Sequence, residues 1–227
     1  MKRRILLTVV ALMAAIPLFS QRIFLTGDSH VSGKAYPAEV KKIVEKAKPS
    51  ATVDYWGKAG AGFYTFNDTP AYMENIYKAK PEILIVHLGT NGCYNKPFDR
   101  EEYYRDINTF YTNIREQLPD CKIVFVTPFY NKNREILSTT GKQTKYGPWK
   151  VNEKTRGVSD LIVEYAGEHP DTFVIDNNAD HGMDFLNGGH RLISHDNVHL
   201  TPEGYKELGD QVGQALIDIE DLWTNSL

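Results

Sequence analysis

Five short apolar runs recur along the chain, at 22–26, 52–56, 83–88, 122–127 and 172–175. They are rich in Ile, Val, Leu and Phe, and their apolar residues run on without regular polar alternation. A strand wet on one face shows a period of two, so continuous runs of this kind indicate strands covered on both faces. Segments of helical character separate them, at 37–48, 71–80, 99–117, 152–169 and 202–222. Pro49, Pro81, Pro119 and Pro170 each stand shortly before a strand, where the preceding helix must already have ended. Thr201 and Pro202 form the cap and first position of the last helix. Regular alternation of strand and helix implies a parallel sheet with right-handed crossovers, that is, an α/β fold of three layers, α/β/α.

The first twenty residues fit an export signal better than a structural element. Lys2, Arg3 and Arg4 make a positive start, residues 5–19 are apolar apart from Thr8, and Ser20-Gln21 offers a cleavage point. The run is short for a membrane span, and no cysteine follows it that could carry a lipid. The expected organisation is a signal peptide at 1–20 and a single domain at 21–227. The mature protein is expected to be secreted or periplasmic, with no stable membrane anchor after cleavage. Loss of Lys2, Arg3 and Arg4 takes the formal charge from −3 to −6. An acidic chain without a basic cluster is unsuited to nucleic acid. Cys93 and Cys121 are placed at opposite ends of neighbouring parallel strands, on the order of 20 Å apart, and are expected to be free thiols.

Every chemical motif follows the C-terminal end of a strand: Gly27-Asp28-Ser29, the glycine-rich 57–62, Gly89-Thr90-Asn91, and the long connections 128–150 and 176–200. Open α/β sheets bind ligands at that edge. Ser29, directly after the first strand, is the candidate nucleophile. His199 is the candidate general base, and Asp196, three residues earlier, the carboxylate that orients it. Candidate oxyanion donors are the backbone N–H of Ser29, the N–H of Gly60 and the side-chain amide of Asn91. Taken singly, each has a structural reading too. The serine tripeptide serves as a helix cap, Asn91 as an Asx-turn, and the glycines as a plain turn.

Other residues stand at or near the same edge. Trp56, Tyr94, Tyr130 and Trp149 are candidate substrate-binding aromatics, with core filling as the alternative. His181, His190, His195, Asp196 and His199 crowd one region, yet none forms a recognised ligand spacing. No metal and no cofactor is expected. His30 is read as a packing residue, His87 as a hydrogen-bonded core residue, and His169 as solvated at a helix end.

The four blocks together resemble the SGNH hydrolases, also called the GDSL family. Gly27-Asp28-Ser29 matches their first block, and Gly60 the glycine of the second, with Gly62 as a register alternative. Gly89-Thr90-Asn91 matches the third, and Asp196 with His199 the last. The resemblance spans essentially the whole mature chain. It implies a five-stranded parallel flavodoxin-like sheet of order 2-1-3-4-5 and catalytic roles for the four blocks. One departure is visible: Gly92 stands where the third block usually has Asp, which bears on the rigidity of that loop. The elbow G-x-S-x-G of the α/β-hydrolases is absent. Within the family, Gly27-Asp28-Ser29-His30 with Gly89-Thr90-Asn91 resembles exported carbohydrate O-acetylesterases of the peptidoglycan type. The implied function is a serine esterase that removes O-acetyl groups from a carbohydrate through an acyl-enzyme, its partner an acetylated sugar or glycan. Alternatives are a lipolytic esterase or lysophospholipase, an O-acetyltransferase using the same triad, and a catalytically dead glycan-binding module. No oligomeric state is read from the sequence.

Overall fold

The computed structural model describes residues 20–91, 98–129, 151–178, 189–196 and 198–224. Five parallel strands form one sheet: β1 (Gln21–Gly27), β2 (Ala51–Gly57), β3 (Ile83–His87), β4 (Lys122–Val126) and β5 (Thr172–Ile175). Their order is β2-β1-β3-β4-β5. The helices are α1 (Ser29–Ser32), α2 (Ala35–Ala47), α3 (Phe63–Asp68), α4 (Pro70–Ala79), α5 (Arg100–Gln117), α6 (Val151–Glu168) and α7 (Pro202–Asp218). The strand order is the one the resemblance implied.

Strand residues divide strictly by parity. Ile23, Leu25, Ile83, Ile85, Val124 and Val126 join Val31, Tyr36, Val40, Val44, Leu208 and Val212, so that face is covered by α1, α2 and α7. Phe24, Leu84, Val86, Ile123 and Phe125 join Phe63, Met73, Ile107, Phe110 and Leu161, so the other is covered by α3 to α6. In β3 and β4 both faces are buried along the whole strand, which is the physical origin of their continuous apolar runs, whereas the edge strand β2 leaves Thr52 and Asp54 exposed. Helix α7 sits tightly on α2. A Cβ at Gly209 would fall 2.6 Å from Glu39 Cβ, and one at Gly213 3.0 Å from Ile43 Cγ2.

Element ends follow local chemistry. Asp99 accepts from Glu102 N–H at 3.0 Å and caps α5, while Thr201 accepts from Gly204 N–H at 3.2 Å and caps α7. The last helix stops at Asp218, short of the expected 222. A 3₁₀ turn at Glu220–Leu222 completes the segment, and Lys122 Nζ donates to Asp221 O and Thr224 O, each at 2.6 Å. The short helices α1 and α3 lie outside the helical segments read from the sequence.

Some expectations need correction. His169 is half-buried, stacked on Tyr165 at a ring separation of 3.9 Å, with Nδ1 2.8 Å from Tyr165 O. His87 is buried as expected, but neither ring nitrogen has a hydrogen-bond partner among the described residues. Cys121 is a buried free thiol, pushed up to about 12 by burial, with Arg115 opposing; Cys93 lies outside the described residues. Among the described residues no helix is long and apolar enough to cross a membrane, and residues 1–19 lie outside that set.

Gly57, at the end of β2, has no room for a side chain. A Cβ there would lie 2.6 Å from Ser32 N, 2.8 Å from Val31 Cβ and 2.9 Å from Asp28 O. Gly57→Ala should therefore displace α1, destabilising the fold by about 1–3 kcal/mol. Urea unfolding measures this, and an unchanged midpoint would contradict the close approach.

Candidate active site

Gly27 ends β1 and pairs with Gly57 and His87 of the neighbouring strands. Asp28 then caps α1, its Oδ1 accepting from His30 N–H at 3.0 Å. This leaves Ser29 half-buried at the first position of a helical turn, just beyond the C-terminal edge of the sheet.

The opposing element is a narrow loop. Ile193 and Leu200 pair antiparallel, Ser194 N–H donates to His199 O at 2.8 Å, and Thr201 N–H to Leu192 O at 2.7 Å. Asp196 stands within it and organises it. Its Oδ1 accepts from the N–H groups of Val198 and His199, each at 2.9 Å. Its Oδ2 accepts from His199 Nδ1–H at 2.6 Å. On the far side of the ring, Ser29 O–H donates to His199 Nε2 at 2.9 Å. A proton on Nδ1 follows from the ionised carboxylate, which can only accept.

Burial alone would raise the Asp196 carboxyl. The hydrogen bonds from the His199 ring and from the two backbone N–H groups outweigh it and hold the group well below the usual carboxylate range. The carboxylate thus stays ionised through neutral and mildly acidic pH. Hydroxyl, imidazole and carboxylate form one hydrogen-bonded series, an arrangement able to draw a proton from the hydroxyl and stabilise the resulting imidazolium.

The donor candidates come from three separate turns that follow β1, β2 and β3. Gly60 adopts φ +81, open space surrounds its Cα, and Ala61 N–H closes the turn onto Lys58 O at 3.1 Å. The backbone N–H groups of Ser29 and Gly60 have no acceptor among the described residues. Asn91 Nδ2 donates to Ala61 O at 2.8 Å, which ties the third block to the second. A longer contact of 3.4 Å reaches Asp28 Oδ2.

The remaining sequence candidates fall elsewhere. Trp56 packs against Tyr72 and Phe66 at 5.3 and 6.1 Å, within the aromatic layer under α3 and α4. Tyr94, Tyr130 and Trp149 lie outside the described residues, as do Gly92 and His181. His195 turns towards Ser194 Oγ at 3.4 Å, diverging from Asp196. Among the described residues no three His, Cys, Asp or Glu side chains gather as a metal site. Sequence reasoning missed Tyr205, whose hydroxyl lies 3.2 Å from His30 Nδ1. Its spacing to Leu208 and Val212 places it on the inward face of α7, a signal present but silent as to its partner.

The profile of the GDSL-like lipase/acylhydrolase family matches residues 25–207. The chain belongs to that family. Membership makes it a hydrolase of the esterase class. Solved structures of similar fold include a peptidoglycan O-acetylesterase, with TM-score 0.68 and 12% identity over 92% of this chain and 93% of that one. The acetyl xylan esterase AlAXEase gives 0.63 and 15%, over 86% and 99%. A catalytic mutant of the acetylxylan esterase Axe2 from Geobacillus stearothermophilus gives 0.64 and 17%, over 91% and 97%. No curated protein sequence gave a significant match. At these identities the likeness is one of GDSL fold.

Below the site, His87 is held neutral, its pKa lowered to about 3 by burial. The unfolded chain takes up this proton as pH falls through about 6.5, whereas the folded chain resists until far lower. Stability should therefore decline with acidification across that window, by up to about 1.4 kcal/mol per pH unit from this group. His87→Phe, which removes no hydrogen bond to a described residue, should flatten that limb. Thermal melts of both proteins from pH 7 to pH 4 check it; parallel curves would exclude His87 as the cause.

Proposed function

We propose that this GDSL hydrolase is an exported carbohydrate O-acetylesterase. The carrying observation is the hydrogen-bonded series from Ser29 Oγ through His199 to Asp196. Ser29 attacks the ester carbonyl as His199 Nε2 takes its proton. The tetrahedral oxyanion rests on the N–H of Ser29, the N–H of Gly60 and the second Nδ2–H of Asn91, which gives up its long 3.4 Å contact with Asp28 Oδ2 while the other stays on Ala61 O. His199 then returns the proton to the leaving sugar hydroxyl. Water activated at the same nitrogen hydrolyses the acetyl-enzyme, releasing acetate and free Ser29. No cofactor enters this sequence.

Support for acetyl and sugar comes from the neighbours named above, described as acting on O-acetylated peptidoglycan and acetylated xylan. Export is supported by the charged and apolar start of the chain and the cleavage point at Ser20-Gln21, with residues 21–227 as the mature single domain.

Acetate release from O-acetylated peptidoglycan and acetylated xylan, assayed side by side, tests the substrate class. Turnover on at least one is expected. Ser29→Ala should abolish it, and Asn91→Ala should lower kcat about 10²–10³-fold. On p-nitrophenyl acetate, butyrate and octanoate the rate should fall with chain length. A preference for octanoate would replace this reading with a lipolytic one, and transfer to added oligosaccharide outpacing hydrolysis would make it an acetyltransferase.

A further inference from the structure

The Ser29 turn and the His199 loop share no secondary structure, yet one side chain ties the first to the helix that follows the second. Tyr205 stands in the first turn of α7, its backbone N–H on Thr201 O at 2.9 Å. Its hydroxyl lies 3.2 Å from His30 Nδ1, a contact across 175 positions. His30 is the residue after Ser29, and Thr201, which caps the helix that carries Tyr205, stands two residues after His199. One hydroxyl thus ties the turn of the candidate nucleophile to the helix that begins just after the candidate base. A phenol O–H can donate to His30 Nδ1. Burial pushes the phenol up to about 12, with Leu200 opposing and the charges of Asp28 and Asp196 adding, so the hydroxyl keeps its proton.

His30 is held as firmly as its partner. Its ring is fully buried. It stacks on His87 at 5.7 Å and meets Phe129 edge-on at 5.2 Å. The rings of His199 and Tyr205 lie 5.6 and 5.9 Å away. A rotamer change would have to displace one of these rings, and the backbone N–H is already fixed on Asp28 Oδ1.

We propose that Tyr205 and His30 are positioning residues, a strut that sets the distance between Ser29 Oγ and His199 Nε2. The inference rests on the esterase reading above. Neither side chain reacts; His30 acts through Ser29 beside it, and Tyr205 through the first turn of α7, whose cap follows His199 by two residues. Misplacement of reacting groups by about 1 Å costs on the order of 10²-fold in rate. Loss of the strut should therefore appear in kcat and leave KM nearly unchanged.

The test is steady-state hydrolysis of p-nitrophenyl acetate by wild type, Tyr205→Phe, His30→Ala, His30→Asn, the double variant Tyr205→Phe/His30→Ala, and Ser29→Ala. Tyr205→Phe and His30→Ala should each lower kcat about 10–100-fold, with KM within about twofold. The double variant should be no worse than the poorer single one, because both remove one interaction. His30→Asn, which offers Oδ1 where Nδ1 stands, should recover most of the loss seen in His30→Ala. Thermal melts establish that each variant is folded. If His30→Ala does not fold, Tyr205→Phe and His30→Asn carry the test. Full kcat in Tyr205→Phe, losses that multiply in the double variant, or an effect confined to KM would each overturn the strut. An inactive Ser29→Ala beside a fully active Tyr205→Phe defeats the strut alone. An active Ser29→Ala defeats the esterase mechanism on which it stands.

Discussion

The 2.9 Å contact between Ser29 Oγ and His199 Nε2 joins positions 170 apart, and the architecture around it serves to hold that distance. The serine is fixed by the sheet. It leaves β1 between β2 and β3, and Lys58 N–H closes onto Gly27 O at 2.9 Å. The histidine is fixed by α7, whose cap at Thr201 begins two residues later. The two meet because α2 and α7 lie on the same face of the sheet and touch at Gly209 and Gly213. A bulkier residue at either glycine would lift α7 and carry the base loop with it. Helix packing well away from the candidate site thus reaches the Ser29–His199 contact through a rigid element.

Beneath this contact the core is more polar than stability alone requires. Asp28, His30 and His87 are fully buried, and Tyr36 OH and both nitrogens of His87 have no hydrogen-bond partner among the described residues. Burying such groups costs free energy that an apolar filling would avoid. The rest of the domain offsets that cost with two apolar layers. The arrangement has a chemical consequence. His87 stays neutral and stacks on His30, so no fixed positive charge from it sits behind the imidazole proposed as the base.

How far the sequence could be read depended on the range of the interactions involved. Strands were legible because covering both faces leaves an apolar run that no other element of that length explains; β5 has the expected bounds, β3 and β4 end one residue earlier, and β1 and β2 extend by one residue at each end. The glycines and the Asp196-to-His199 spacing marked loops with special backbone or local hydrogen bonds. Partnerships across the fold left no such mark. The sequence says that His87 is buried in a strand, but the absence of an acceptor beside it is a property of α1 and α2. His169 sits before Pro170, a position that suggests solvent; Tyr165 stacks on it from four residues back in α6, and only the packing of α5 against α6 adds Tyr111. Trp56 follows a strand end like the site residues, yet its ring turns to the α3 and α4 layer. The helix α1 is too short to carry any period.

The spacing of Asp196 and His199 explains why one half of the site is nearly self-contained. A carboxylate has two oxygens, and here they are divided between two tasks. Oδ1 takes the backbone N–H groups of Val198 and His199 and so closes the turn. Oδ2 takes the imidazole that the closed turn presents. With three residues between the groups, the same bonds that shape the loop aim the ring. What the loop cannot supply by itself is its distance from residue 29. That distance needs the parallel sheet, the seating of α7 and the contacts made under the site by His30 and Tyr205, which is why short motifs with local meaning carry chemistry only once this topology places them side by side.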